Sequence, residues 1–332
     1  MVSPASETNI KVTFKEKIPV IHLPLRFTIS EAQFFKSICQ ELLSQENTKG
    51  KIIIDFSKTT FLDSSGIGSI VASLKTAREN GRELVLYGVN SQIMSVFSLT
   101  GLDQILTIEQ SPEREVTSNV KPEDNQLLIT HPSIQSWVKR LIDIVGALVG
   151  LVITAILFIP IAIFIKLDSP GPIFFGQIRC GWMGRRFRMW KFRSMCVNAE
   201  YLKSQIQNQA QGAIFKNEND PRVTKVGRFL RRKSLDELPQ FWNVLKGDMS
   251  LVGTRPPTPD EVERYEVPQW QRLDVKPGMT GEWQVNGRSQ VKDFEDIIRL
   301  DLNYQQNWSL MYDLKLIFKT VTVLFNKSSG AV

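Results

Sequence analysis

From Ile144 to Ile165 the chain runs through 22 residues without a charged side chain, "IVGALVGLVITAILFIPIAIFI". As a helix this stretch is about 33 Å long, enough to cross the hydrocarbon core of a bilayer. A helix buried in a globular core rarely carries so long an apolar run. Basic residues stand on both sides, Lys139 and Arg140 before it and Lys166, Arg179, Arg185, Arg186 and Arg188 after it, so the positive-inside rule selects no orientation. Cations at both ends suit a helix that enters and returns on one face. Pro160 offers the break, because it removes one backbone hydrogen bond and crowds the preceding turn. The expectation is a re-entrant membrane segment over residues 134–168.

The segment divides the rest of the 332-residue chain in two. Between Ile18 and Gln110, strand-like runs alternate with amphipathic helical ones: "IPVIHLPL", "SEAQFFKSICQELLS", "KIIIDFS", "GIGSIVASLKTAREN", "ELVLYGV" and "NSQIMSVFSLTG". The pattern predicts βαβαβα with a mostly parallel sheet, an α/β fold over residues 10–112. A charged stretch without apolar period, "SPEREVTSNVKPEDNQ", follows and places a linker at 113–133. Residues 169–332 then form a second, mainly helical α/β domain.

Charge is split along the same line. Through His131 there are 13 basic and 15 acidic residues; the totals are 41 and 34, which leaves 28 and 19 for the remainder. The basic part calls for an anionic partner: nucleic acid, a membrane surface or a phosphorylated substrate. Nucleic acid is the poorest fit, since no recognition helix, zinc finger or aromatic-rich strand motif accompanies the charge. The three cysteines, Cys39, Cys180 and Cys196, have no CxxC spacing, which argues against a disulfide framework or zinc site and for a reducing compartment. With two histidines in the chain, chemistry falls to carboxylates rather than imidazoles. The first residues are polar, without the apolar region of a secretory signal.

The junction "FLDSSGIGSI", Phe61 to Ile70, reads locally as a helix start, with Asp63, Ser64 or Ser65 as cap. Together with the βα alternation and "TGLDQIL" at Thr100 to Leu106, it resembles the STAS domain, the fold of anti-sigma-factor antagonists. The resemblance implies Ser64 as a phosphorylation site, and a protein partner or a second copy of the chain as ligand for this domain.

In "RRKSLDELPQFWNVLKGDMSLVGTRP", Asp236 and Glu237 follow a basic run. A capping box from Ser234 to Glu237 is one local reading, but Pro239 would fall inside the helix it opens. A solvated acidic pair is another. Lys225, Arg228, Arg231, Arg232, Lys233 and Arg255 crowd these two carboxylates and point to a third, anionic component. A phosphorylated substrate would be repelled by the carboxylates unless a divalent ion lay between, and Mg2+ takes carboxylate and phosphate oxygens together. A carboxylate can also attack phosphorus to form an acyl phosphate.

"KRLIDIVGALVG" at Lys139, "KLDSPGPIFFGQIRCGWMGRRFRMWKFRSM" at Lys166, "NDPRVTKVGRFLRRKSLDELPQFWNVLKGDMSLVGTRP" at Asn219, "KPGMTGEWQVNGRS" at Lys276 and the closing "LDLNYQQNWSLMYDLKLIFKTV" are similar, in order and spacing, to the bacterial sugar transferases. These are monotopic phosphoglycosyl transferases that act on polyprenol phosphate. The resemblance implies that Asp236 attacks the β-phosphate of a UDP-sugar, releases UMP and passes the sugar phosphate to undecaprenyl phosphate. Glu237 would hold Mg2+ with Asp236 or handle a proton. Arg231 and Arg255 look like phosphate ligands. Lys191 and Arg193 of "KFRSM", Asp220 and Arg222 of "NDPR" and Arg288 of "NGRS" are further substrate-binding candidates, although Asp220 and Arg222 equally suit a structural ion pair. The expected location is the cytoplasmic face of the bacterial inner membrane, with both soluble domains in the cytosol. The chain departs from the family pattern at Pro160, about one turn later than usual and not preceded by Ser, and at Thr254, where "GTRP" replaces "GPRP". A competing reading makes the STAS-like domain the active part, as a partner-switching protein, and the rest its anchor.

Overall fold

The computed structural model describes residues 10–44, 50–109, 131–209, 215, 217, 219–286 and 293–325. They form two compact units. The first holds the N-terminal part up to Thr130 together with residues 183–185 and 265–274, and the second holds the remainder.

In the first unit the order is β1 (Lys11–Lys15), β2 (Ile18–His22), β3 (Arg26–Phe27), α1 (Ile29–Ser44), β4 (Lys51–Asp55), β5 (Phe61–Leu62), α2 (Ser64–Glu79), β6 (Glu83–Tyr87), α3 (Ser91–Thr100) and β7 (Thr107–Glu109). The sheet runs β1-β2-β4-β6-β7. β1 pairs antiparallel with β2, whereas β2, β4, β6 and β7 are parallel, with Val20 opposite Ile53 and Ile53 opposite Val85. The α/β alternation read from the sequence is therefore the observed topology, with β1 added at one edge. Ile21, Ile52, Ile54, Val85 and Leu86 are fully buried in the sheet, and Phe27, Phe35, Phe56 and Phe97 pack edge to face against its surroundings. The 3-10 segment Val267–Leu273 packs against α1 and α2. The sequence boundary at 113–133 is thus crossed by a ten-residue segment from far downstream. Periodicity could not announce this, because the docking depends on one side chain: Trp270 lies where a Cβ on Gly68 would meet its ring at 2.4 Å, so only glycine admits it.

The second unit begins with α4 (Pro132–Gln135) and α5 (Trp137–Asp168), a 32-residue helix capped by Ser136. It runs unbroken through Pro160. A proline costs a helix one hydrogen bond and some bending, and the apolar turns on either side of it hold the helical path. The buried residues Lys139, Asp143, Ala147, Gly150, Thr154, Ile161 and Ile165 fall on one stripe. Leu141, Val145, Leu148, Val152, Ile156, Ile159 and Ile163, by contrast, are each at least half exposed. Among the described residues this is the one helix long and apolar enough to cross a membrane.

The hairpin β8 (Phe174–Cys180) and β9 (Arg186–Phe192) follows, then α6 (Ala199–Leu202), α7 (Lys225–Arg232), α8 (Gln240–Lys246), β10 (Ser250–Val252), α9 (Pro259–Val262), β11 (Gly278–Thr280), α10 (Glu282–Asn286), α11 (Phe294–Gln306) and α12 (Leu310–Phe325). α5 is the spine to which they attach. Near its start, Ala147 packs with Phe187, Met189, Val244 and Met249. Toward its end, Ile161 and Ile165 pack with Phe192 and Leu230, and Phe158, Phe174 and Phe192 stack. Val252, Val275, Val285, Tyr304 and Leu316 close a third cluster.

Candidate functional site

α7 is held by both ends. Thr224 caps it by accepting from Gly227 N, and Val226 N donates to the Asp168 carboxylate at the end of α5 at 2.9 Å. Gly227 lies so near β9's outgoing chain that a Cβ would stand 2.0 Å from the Ser194 carbonyl oxygen, and Arg231 Nε donates to Ser194 Oγ at 3.0 Å. After α7 the chain reverses at Ser234, which sits in the left-handed region at φ 54°, and enters the 3-10 turn Leu235–Glu237. No side-chain cap forms at Ser234, so the capping-box reading of this stretch is not realised. Pro239 precedes α8 rather than interrupting it. The turn leaves Asp236 buried, at 5% exposure, on the wall of a cavity of about 900 Å3.

The cavity collects most of the sequence candidates. Lys191, Arg193, Asp220, Arg222, Arg231, Asp236, Glu237 and Arg255 all line it. Lys191 Nζ pairs with Glu237 at 3.0 Å. Arg255 grips Glu261 with two nitrogens, at 2.7 and 3.0 Å. Burial lowers the Arg231 guanidinium from its ordinary value, and the neighbouring Asp236 carboxylate opposes that. Arg193 is bound up as a C-terminal cap of α5, donating to Pro170 O, Ser169 O and Ser169 Oγ. Asp220 and Arg222 form the bidentate ion pair that was one of their two sequence readings. Arg288 lies outside the described residues.

Three cavity residues carry chemistry that the sequence reading passed over. Glu261 was legible in retrospect, since "TPDE" from Thr258 to Glu261 forms a capping box in which the same carboxylate also receives Arg255. Ser194 took its place from the close approach at Gly227, which leaves no local mark. Arg179 was read as a membrane-flanking charge.

Among the described residues no group of three His, Cys, Asp or Glu side chains gathers to hold a metal. Mg2+, which binds through one or two carboxylates and completes its shell with water and phosphate oxygens, would rest here on Asp236 and on Glu237, one oxygen of which pairs with Lys191.

In the first unit, Asp63 caps α2 by accepting from Gly66 N at 2.8 Å. Ser64 is fully buried, its hydroxyl donating to Trp270 O at 2.7 Å and contacting the Asp274 carboxylate, which also accepts from Ser64 N. A phosphoryl group on Ser64 cannot occupy this space while residues 265–274 are docked. Burial, and then the Asp274 charge, push Asp63 up to about 7; burial pushes Asp274 up to about 6, against its bonds from Ser64. Both values exceed that of the unfolded chain, so the folded unit binds more protons between about pH 4 and pH 7. Stability from this pair is present below pH 4, falls as pH rises through that window and is gone above pH 7. The melting midpoint of this unit is expected to drop by roughly 5–10 °C between pH 5 and pH 8. Asp274→Asn, which keeps the oxygen that accepts from Ser64, should flatten that dependence; calorimetric scans of both proteins across pH check it.

Two adjacent carboxylates thus share one cavity with guanidinium and ammonium groups. The chain belongs to the bacterial sugar transferase family, whose model matches residues 134–327, and residues 9–114 match the STAS domain. Galactosyl transferase CpsE of Streptococcus agalactiae serotype III (strain NEM316) is 52% identical over 188 residues, covering 56% of this chain and 42% of that protein. UDP-glucose:undecaprenyl-phosphate glucose-1-phosphate transferase of Escherichia coli (strain K12) is 44% identical over 195 residues, covering 57% and 40%. The chain thus spans about two fifths of the length of these relatives. An anti-sigma-factor antagonist (STAS) domain protein from Planctomyces limnophilus aligns with 31% of this chain and 90% of its own at 23% identity, with a TM-score of 0.27.

Proposed function

We propose that this protein transfers a sugar 1-phosphate from a UDP-sugar to undecaprenyl phosphate, releasing UMP, as the first committed step of an exopolysaccharide or other lipid-linked glycan. The observation that carries the reading is the buried Asp236 beside Glu237 on the wall of one cavity with Arg231, Arg255 and Lys191. An inert membrane anchor for the STAS-like domain would have no use for such an arrangement.

In the proposed reaction a carboxylate oxygen of Asp236 forms a bond to the β-phosphorus, and the bond from that phosphorus to the bridging oxygen breaks. UMP leaves with the electron pair. A phosphate oxygen of the lipid then attacks the same phosphorus and displaces Asp236, which regains its carboxylate. Arg231 and Arg255 hold phosphate oxygens through both displacements, and Lys191 orients Glu237 through their ion pair. Mg2+ on Asp236 and Glu237 would neutralise phosphate charge when bound.

The exposed apolar side chains of α5 favour a lipid surroundings for that helix, and the half-exposed Trp242 suits headgroup depth. The cytoplasmic face of the inner membrane follows from where UDP-sugars are found. The STAS-like domain is proposed to serve regulation, through a protein partner, a second copy of the chain or phosphorylation of Ser64. Phosphorylation of Ser64 first requires residues 265–274 to leave it.

The test is UMP release by the full chain in detergent with undecaprenyl phosphate, over a panel of UDP-sugars. UMP from one or two donors, abolished by chelating Mg2+, supports the reading and names the donor. An absence of UMP with every donor, alongside intact folding, would shift the weight to the STAS-like domain as a binding module.

A further inference from the structure

β8 and β9 pair so that Gln177 lies opposite Met189, Arg179 opposite Phe187 and Phe175 opposite Lys191. Directly opposed residues of an antiparallel pair share a face, so Gln177 and Arg179 stand on the same side of the hairpin as Lys191. All three line the cavity of Asp236. Arg179 is held there by neutral partners. Its Nε and Nη2 donate to Gln177 Oε1 at 3.0 and 2.6 Å, and its Nη1 donates to Pro256 O at 2.8 Å. These bonds use three of the five N–H groups of a guanidinium and leave one on each terminal nitrogen, the pairing that grips two oxygens of a phosphate. Arg255 stands near enough that burial and its charge together lower the Arg179 guanidinium to about 10, against the carboxylates of Glu261 and Glu237. A cation kept beside another cation, with uncharged hydrogen-bond partners, is a site that a bound anion relieves.

The charged neighbours of Arg231 and Arg179 differ. Arg231 feels Asp236, Asp220, Arg222 and Glu237, whereas Arg179 feels Arg255, Glu261, Glu237 and Cys180. Phosphoryl displacement is in line, with the attacking and leaving oxygens on opposite sides of phosphorus. If Asp236 attacks from the Arg231 side, the leaving group departs toward Arg179 and Arg255.

We propose that Arg179 contacts substrate at the phosphate that remains on the departing nucleoside monophosphate, and that Gln177 is its positioning residue. The inference rests on the reaction proposed above and adds to it the residue that receives the leaving group.

The experiment compares wild type, Arg179→Gln, Arg179→Lys and Gln177→Glu in detergent, by calorimetric titration of UMP and by the kinetics of UMP release. Arg179→Gln is expected to weaken UMP about 10- to 100-fold and to lower kcat/KM for the UDP-sugar by a similar factor. Gln177→Glu gives Arg179 a carboxylate partner at nearly unchanged volume and should weaken UMP in the same direction. Arg179→Lys, a point charge without the fork, should fall between. UMP affinity within twofold of wild type in Arg179→Gln, or in both other variants if that one fails to fold, overturns the inference while leaving the reaction standing. A wild type that neither binds UMP nor releases it overturns both.

Discussion

Asp236→Asn is expected to lower UMP release by at least about 10^3-fold, roughly 4 kcal/mol of transition-state stabilisation, with the fold intact. The side chain is 5% exposed, and asparagine fills the same volume, so packing gives no reason for loss. What disappears is the anionic oxygen that would bond to phosphorus in the proposed reaction, for which an amide is no substitute. Incubated with its UDP-sugar and no lipid, wild type should gain the mass of a sugar phosphate, and Asp236→Asn should not. Glu237→Gln breaks the ion pair with Lys191 but keeps the nucleophile, so it should retain the adduct while turning over slowly. Full turnover in Asp236→Asn would remove the dyad from its proposed role.

The second large effect concerns stability. Asp313→Ala is expected to cost about 3–5 kcal/mol and to lower the melting midpoint by roughly 10 °C. Lys139 on α5 and Asp313 on α12 form an ion pair at 2.6 Å, with side-chain exposures of 8% and 3%. The same carboxylate accepts from the Tyr304 hydroxyl at 2.8 Å and the Trp308 indole at 3.2 Å. Its removal takes the counter-charge from a buried ammonium and the acceptor from the Trp308 indole, and leaves Tyr304 only its 3.2 Å bond to Val252 O; stranding of this kind is far costlier than the net worth of the pair. Lys139 also donates to the carbonyl of Val252, the last residue of β10, three positions before Arg255. The clamp therefore sets the strand that leads into the cavity. Asp313→Asn, which keeps one acceptor oxygen, should lose less; tryptophan fluorescence during heating measures both. A loss below about 1 kcal/mol in Asp313→Ala would mean that water reaches the site.

Local rules account for what could be read in advance. The parallel sheet of the first unit follows from apolar runs such as "KIIID" and "ELVLY" separated by amphipathic helices, because buried parallel strands need continuous apolar sequence. The cap at Asp63 was visible as an oxygen-bearing side chain three residues before Gly66. β1 was not, since "KVTFK" is an edge strand with mostly exposed side chains and lacks the apolar run that marked its neighbours. The dyad stood out because the basic run from Lys225 to Lys233 and Arg255 flank two carboxylates. Arg179 did not, because a basic residue after an apolar helix has the same sequence signature whether it meets headgroups or a cavity.

From the sequence alone come the α/β alternation, the long apolar helix, the candidate dyad and the family, all properties of neighbouring residues or of ordered motifs. Tertiary structure alone decided three things: that Lys191, Arg231 and Arg255 share one cavity with Asp236, that Arg193 caps a helix while Arg179 faces the cavity, and that Trp270 and Asp274 close over Ser64. The physical reason is common to all three. Each depends on side chains brought together across tens to hundreds of residues by close packing, at a glycine, an ion pair or a shared sheet face, and no local periodicity encodes which distant partner arrives.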